Sequence, residues 1–337
     1  MKAFGHSRAS SLTDDNALIE IQAPTPEPQP HDVIVEIAAV SINPVDTKLR
    51  QSALPTSDAV RILGYDACGT VVATGGNVSK FRSGDRVFYA GSAIRPGSNA
   101  EYQAVDERII AHAPKTLNVS EAAALPLTAI TAWELLFDRL RVPLNNQFTD
   151  DTILIIGGAG GVGSILIQLA RRLTGLRVVA TASRPETIAW CEKMGAHHII
   201  DHTRPLSQEL KRLGIPHVRY VASLTQTAQH RDEILQVLAP QGALALIDDP
   251  GSFDIMPFKR KSLSVHWEFM FTRPIFETPD MSAQGHILSQ VASLVDAGLI
   301  QTTLYHLNGA ITLQNLLKAH ALQESGKSIG KTVLTGF

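Results

Sequence analysis

One short segment limits this chain's fold more than any other: Ile153-Leu154-Ile155-Ile156-Gly157-Gly158-Ala159-Gly160-Gly161-Val162-Gly163. Its four branched apolar residues read as a buried strand, and glycines at 158, 160 and 163 give the spacing G-x-G-x-x-G. Beyond them Ile165, Leu166, Leu169, Ala170 and Leu173 recur at helical spacing, so the loop joins a strand to an amphipathic helix. In such a turn the first glycine allows the tight bend, and the second lets backbone approach a pyrophosphate. The third lets helix and strand pack closely, while the helix N-terminus supplies N–H donors and positive potential. The plainer alternative is a glycine-rich turn that binds nothing.

The surrounding pattern decides between the two. From residue 151 onward, apolar runs at 152–156, 177–182, 197–200, 218–222, 243–247 and 264–270 alternate with helical stretches such as 162–172, 185–194 and 226–238. This alternation implies parallel βαβ units with helices on both faces, and six strands complete a dinucleotide-binding sheet. Earlier, 33–40, 69–75 and 87–89 read as short strands between Pro- and Gly-rich turns, and residues 122–136 as a helix. A chain of 337 residues with 44% hydrophobic residues has enough material for two packed domains. Its net charge of −2, with no Lys/Arg block, argues against a nucleic-acid or anionic-lipid partner. Cys68 and Cys191 cannot build a disulfide framework, and both read as small buried hydrophobes. The N-terminal residues lack a signal-peptide apolar run, and the longest apolar stretch, 122–137, is interrupted by Pro126 and Glu134. The expectation is a soluble, cytoplasmic protein.

Cofactor choice in such folds is read at the end of the second strand, about 20 residues past the glycines. NAD enzymes carry an acidic residue there. This chain has Thr181-Ala182-Ser183-Arg184, without a carboxylate. A hydroxyl beside a guanidinium suits the 2′-phosphate of NADPH, because Arg pairs its N–H groups with phosphate oxygens. Arg184 as a solvated residue at the start of the next helix is the alternative.

With the loop in place, the chain resembles the medium-chain dehydrogenase/reductase superfamily, nearest to its zinc-independent quinone oxidoreductases and zinc-type alcohol dehydrogenase-like members. The resemblance rests on Ser41-Ile42-Asn43-Pro44-Val45-Asp46, Gly64-Tyr65-Asp66-Ala67-Cys68-Gly69-Thr70-Val71, Gly84-Asp85-Arg86-Val87, Leu125-Pro126-Leu127-Thr128-Ala129-Ile130-Thr131-Ala132-Trp133, the glycine loop, and Gly330-Lys331-Thr332-Val333-Leu334. It implies an α/β architecture in which a Rossmann doubly wound parallel sheet, residues 126–272, is inserted into a β-rich GroES-like catalytic domain built from 1–125 and 273–337. It also implies a site in the cleft between the domains and a homodimer.

Zinc members of the superfamily hold their metal with a Cys from the first motif, a His from the second and a further Cys or acid. Here the first motif offers Asn43 and Asp46, Tyr65 stands in the histidine's place, and Leu127 and Thr128 lie near the third position. The metal expectation is therefore none. Hydride transfer without a Lewis acid suits an acceptor already activated by conjugation, a quinone first and an enone second. An NADPH-binding sensor without turnover is the alternative of another class.

By resemblance, Asn43, Asp46 and Tyr65 approach the reacting end. Thr128 and Thr131 approach the nicotinamide, Gly158, Gly160, Gly161, Val162 and Gly163 the pyrophosphate, and Ser183 and Arg184 the 2′-phosphate. Leu224, Thr225 and Ile247 lie along the cofactor's path, and Lys331 reaches it. Phe269, Met270 and Phe271 wall the substrate pocket. From the residues themselves, Asp46 reads equally as a helix cap, Tyr65 as a buried tyrosine, and at least one of residues 269–271 as core. His197, His198 and His202 read as surface or strand-end residues.

Overall fold

The computed structural model describes residues 1–52, 60–144 and 150–337, which form two compact units. One comprises Met1–Ile130 with Phe271–Phe337, and the other Thr131–Met270.

The second unit is built on six parallel strands in the spatial order His198–Ile200, Arg177–Thr181, Thr152–Ile156, Val218–Ser223, Leu238–Leu246 and Ser264–Trp267. Numbered along the chain this is 3-2-1-4-5-6, the doubly wound order of a dinucleotide-binding sheet. The central strand Thr152–Ile156 is buried along its whole length, since both faces are covered. Leu154, Val179, Val221 and Leu244 lie side by side across the sheet and pack with Ile234 and Val237 into one core. The helix Gly161–Leu173 buries Ile165, Leu166, Leu169 and Ala170, as its apolar spacing requires.

Two elements differ from the sequence pattern. The apolar run at 264–270 predicts a strand to Met270, yet the strand ends at Trp267. Its sole neighbour, Leu238–Leu246, stops at Leu246, whose carbonyl takes a last bond from the Glu268 N–H (2.9 Å). Residues 269–271 therefore follow the ladder and do not alternate across a sheet: Met270 and Phe271 are both buried, and Phe269 is 51% exposed. The expected helix at 122–136 is in fact three pieces, Val119–Ala123, Pro126–Trp133 and a π-helical turn Glu134–Arg139. Pro126 has no N–H to continue the first helix and opens the second. The π-turn closes with Leu140 N–H donating to the Leu135 carbonyl, five residues back.

The first unit is mostly β. Its main sheet runs Leu304–Leu307, Lys331–Thr335, Asp32–Ile42, Asp66–Thr74, Arg86–Tyr89 and Ile110–His112, with Tyr102–Asp106 also paired to Asp32–Ile42. The C-terminal strand Lys331–Thr335 lies antiparallel to Asp32–Ile42, with Leu334 opposite Val40, so one sheet draws on both ends of the chain. A small sheet of Ile19–Gln22, Lys2–His6 and Arg61–Ile62 completes it. Among the described residues no helix is long and apolar enough to cross a membrane.

Candidate active site

The glycine loop is stitched to the tip of the neighbouring strand. Gly157 N–H donates to Thr181 Oγ1 (3.0 Å) and Gly158 N–H to the Thr181 carbonyl (3.2 Å). Gly157 takes a left-handed φ of 87° to make the turn. A Cβ at Gly158 would stand 2.8 Å from the Ala180 Cβ, and one at Gly163 2.4 Å from the Gly157 oxygen, so packing alone demands both glycines. Gly160 is different, since a Cβ there would meet no protein atom closer than 3.6 Å. The loop is thus left open at the glycine where a pyrophosphate comes closest to backbone. Gly161, Val162 and Gly163 start the helix, and Gly160, as its cap, brings no side-chain acceptor. The first turn carries no acidic residue. Its N–H groups and positive helix end form a cradle for an anion.

The neighbouring strand ends bring up the rest of this face. Leu224 N–H donates to Ile156 O (3.1 Å) and Ile247 N–H to Ser223 O (3.3 Å), so both sit just past the carboxyl ends of their strands. The Thr225 methyl lies 3.1 Å from where a Gly157 Cβ would stand. Ser183 is exposed beyond the tip of Arg177–Thr181, and Arg184 Nε lies 3.1 Å from Glu186 at the start of the next helix. His202 Nε2 comes to 3.5 Å from Ser183 Oγ, with its ring edge-on to the ring of His230 (6.5 Å, 86°). Burial pushes the His230 pKa down, and His202 beside it adds to the effect. His202 follows the end of the third strand, the strand-end place expected of it, and that strand pairs with Arg177–Thr181, just beyond which Ser183 lies; the meeting of the two side chains was not expected. Thr128 and Thr131 both lie buried on the helix Pro126–Trp133, where Thr128 Oγ1 donates to Leu125 O (3.1 Å).

In the first unit polar side chains from three chain segments converge on a buried network. Asn43 caps the helix Pro44–Gln51, its N–H donating to Asp46 Oδ2 (2.8 Å), and Asp46 Oδ1 accepts from Gly64 N–H (3.1 Å). Burial drives the Asp46 pKa up to about 7 against these amides and the nearby Lys331. Asp66 is the hub: it accepts from Asn43 Nδ2 (2.8 Å) and Leu127 N–H (2.7 Å) and pairs with Lys331 Nζ at 3.0 Å. Lys331 also donates to Asn43 Oδ1 and to Ile42 O (2.8 Å). The register explains the meeting, since Ser41 pairs with Asp66 and Ile42 with Thr332. Asn43, Asp46 and Lys331 therefore spend their polar atoms inside the fold, tying three chain segments to the first turn of the helix that carries Thr128. Sequence reading missed Asp66, because its weight comes from strand register.

Tyr65 is 1% exposed, and desolvation pushes its pKa up to about 12 against the pull of the nearby Arg61. Its ring meets Phe271 edge-on, with centroids 5.3 Å apart. Asp85 accepts from Arg82 N–H (2.9 Å), as a turn residue does. Cys68 and Cys191 are free and fully buried, with pKa values pushed up to about 12 by desolvation. Among the described residues no group of three or more His, Cys, Asp or Glu side chains could hold a metal ion. Asp46 and Asp66 are themselves committed to amides and an ammonium.

Residues 29–115 match the family described as Alcohol dehydrogenase GroES-like domain, and residues 161–282 the one described as Zinc-binding dehydrogenase. A zinc-type alcohol dehydrogenase-like protein of Staphylococcus aureus is 41% identical over 99% of both chains. An NADPH-dependent alkenal/one oxidoreductase of Arabidopsis thaliana is 34% identical over 62% of this chain and 54% of its own length. The crystal structure of a candidate zinc-dependent alcohol dehydrogenase protein from Rhizobium etli superposes with a TM-score of 0.96. It is 55% identical, covering 100% of this chain and 98% of that one.

Proposed function

The chain belongs to the medium-chain dehydrogenase/reductase superfamily of oxidoreductases, and from that premise we propose that it transfers hydride from NADPH to a quinone without zinc. When bound, the nicotinamide supplies the hydride, and the protein's task is to bind it, orient it and keep water away. The amides of Gly160, Gly161, Val162 and Gly163 hold the pyrophosphate, with Gly158 shaping the turn. Leu224, Thr225 and Ile247 flank the path toward the nicotinamide, and Thr131 approaches its ring.

The observation that carries this reading is the end of the strand Arg177–Thr181, where no carboxylate occupies 181–184, Ser183 meets His202, and Arg184 follows, paired with Glu186. An adenosine ribose with free hydroxyls would want an acceptor there, whereas a 2′-phosphate wants donors and positive charge. Zinc has no part in the reading, because Asn43, Tyr65 and Thr128 stand where ligands would be needed.

The choice of a quinone follows from where protons are available. Hydride addition to a quinone leaves a hydroquinone oxygen that takes its proton from water, while an enone must be protonated at carbon. Asn43, Asp46, Asp66 and Lys331 are engaged in the buried network, and the Tyr65 proton is held tightly. These features support an acceptor that needs no dedicated acid. Phe269, half exposed, offers it a planar apolar face. The second reading is enone double-bond reduction, favoured by the named activity of the Arabidopsis relative.

The test follows loss of NADPH absorbance with benzoquinone, phenanthrenequinone and a simple enone. Faster turnover of the quinones is expected. A clear preference for the enone would move the assignment to the second reading, and tight NADPH binding with no turnover would point to a sensor.

A further inference from the structure

A group of buried charges lies outside both the cradle and the buried network. Glu268, directly after the last parallel strand, has a side chain with no exposure, and the Glu134 side chain, at the start of the π-turn, is 1% exposed. Arg139, at the other end of that turn, places Nε 2.8 Å from Glu268 Oε2 and Nη2 4.0 Å from Glu134 Oε2. The π-turn makes the arrangement possible. In an α-helix, residues five apart are rotated by about 140°, whereas the wider turn brings 134 and 139 toward one face.

Two ionised carboxylates with one guanidinium would bury an unbalanced negative charge, and a single proton shared between them removes it. Burial, with the Glu134 carboxyl beside it, drives Glu268 up to about 9 against the pull of Arg139. The other charged groups nearby are Asp138 and Arg141 on the helical side and His266 on the strand, whose pKa burial, Arg141 and Arg139 push down. The packed strand Leu238–Leu246 brings no titratable side chain.

The cluster joins two parts of the candidate site. Glu134 continues the helical run that carries Thr131, and Glu268 immediately precedes Phe269. We propose that Glu134 and Glu268 share one proton and, with Arg139, act as a positioning clamp that holds the Thr131 helix against the Phe269 segment for hydride transfer. This rests on the hydride-transfer reading above, and the residues position others without touching the reacting atoms.

The test compares wild type with Glu268→Gln, which keeps a neutral hydrogen-bonding group, and with Glu268→Ala. Wild-type kcat with NADPH and a quinone should hold to about pH 9 and then fall about tenfold per pH unit as the clamp ionises. Glu268→Gln should keep the neutral-pH kcat within about twofold and lose that alkaline break. Glu268→Ala should lower kcat at every pH with the KM for NADPH unchanged. A break that persists in Glu268→Gln would overturn the proposal.

A second readout needs no turnover. The unfolded chain ionises Glu268 near the ordinary 4.5 and the folded chain holds the proton to about 9, so wild-type Tm should fall across that window relative to Glu268→Gln. Parallel Tm curves would overturn the shared proton whatever the enzyme's substrate. Diverging curves in a wild type that turns over no acceptor would instead overturn the hydride-transfer reading and leave the clamp standing.

Discussion

At the scale of single residues, the three glycines of the loop do different work, and substitution separates them. A Cβ at Gly163 collides with two carbonyl oxygens, so Gly163→Ala should cost about 1–3 kcal/mol of stability, read as a lower Tm. A Cβ at Gly160 makes only an ordinary contact with Gly157 O (3.6 Å), so Gly160→Ala should keep stability within about 0.5 kcal/mol of wild type while NADPH affinity drops in a fluorescence titration. Ser183→Ala combined with Arg184→Gln should raise the Kd for NADPH by about tenfold or more and leave that for NADH nearly unchanged. Gly158, Gly163, Ser183 and Arg184 were legible in the sequence because their meaning is local: a turn, a close contact, a strand tip. The roles of Asp66 and Glu268 and the meeting of His202 with Ser183 were not. Each owes its place to strands or turns far away in sequence, and no spacing rule reports that His202 meets Ser183.

At the scale of elements, the buried network around Asp66 joins the strands Asp32–Ile42, Asp66–Thr74 and Lys331–Thr335 to the helix that begins at Pro126. Removing one partner strands the other's charge in the interior. Asp66→Ala or Lys331→Met should each cost about 3–5 kcal/mol in urea unfolding, and the double variant less than their sum. Asp46 gives this region a pH dependence of its own. Its folded pKa of about 7 lies above the ordinary 3.8, so between those values only the folded chain keeps the proton. Its contribution is present in full at low pH and is lost as pH rises through about 7, and Asp46→Asn should flatten that part of a stability-against-pH curve. Apolar periodicity placed the strands Thr152–Ile156, Arg177–Thr181 and Val218–Ser223 and the helices Gly161–Leu173, Pro185–Met194 and Thr227–Val237 to within a residue or two, because burial repeats every two or 3.6 positions. It overran at 264–270, where a neighbouring strand's length decides the end, and across 122–136, where Pro126 and a π-turn interrupt one apolar stretch.

At the scale of the whole molecule, the two units use the chain differently. The six-stranded parallel unit is a continuous run, Thr131–Met270, whose order follows from right-handed strand-helix-strand crossovers. The β-rich unit takes strands from both ends, and that pairing is set by long-range register which no local pattern in the sequence encodes. Relatives of the chain carry zinc in their descriptions, while its own Asp66 is engaged in internal hydrogen bonds and Ser183 meets His202 beyond the second parallel strand. These observations combine into the central claim of metal-free hydride transfer from NADPH. The most direct test treats purified protein with EDTA, verifies metal content, and compares quinone-dependent oxidation of NADPH and NADH. The account predicts undiminished turnover with NADPH well ahead of NADH. Activity that vanishes with EDTA and returns with zinc would contradict it.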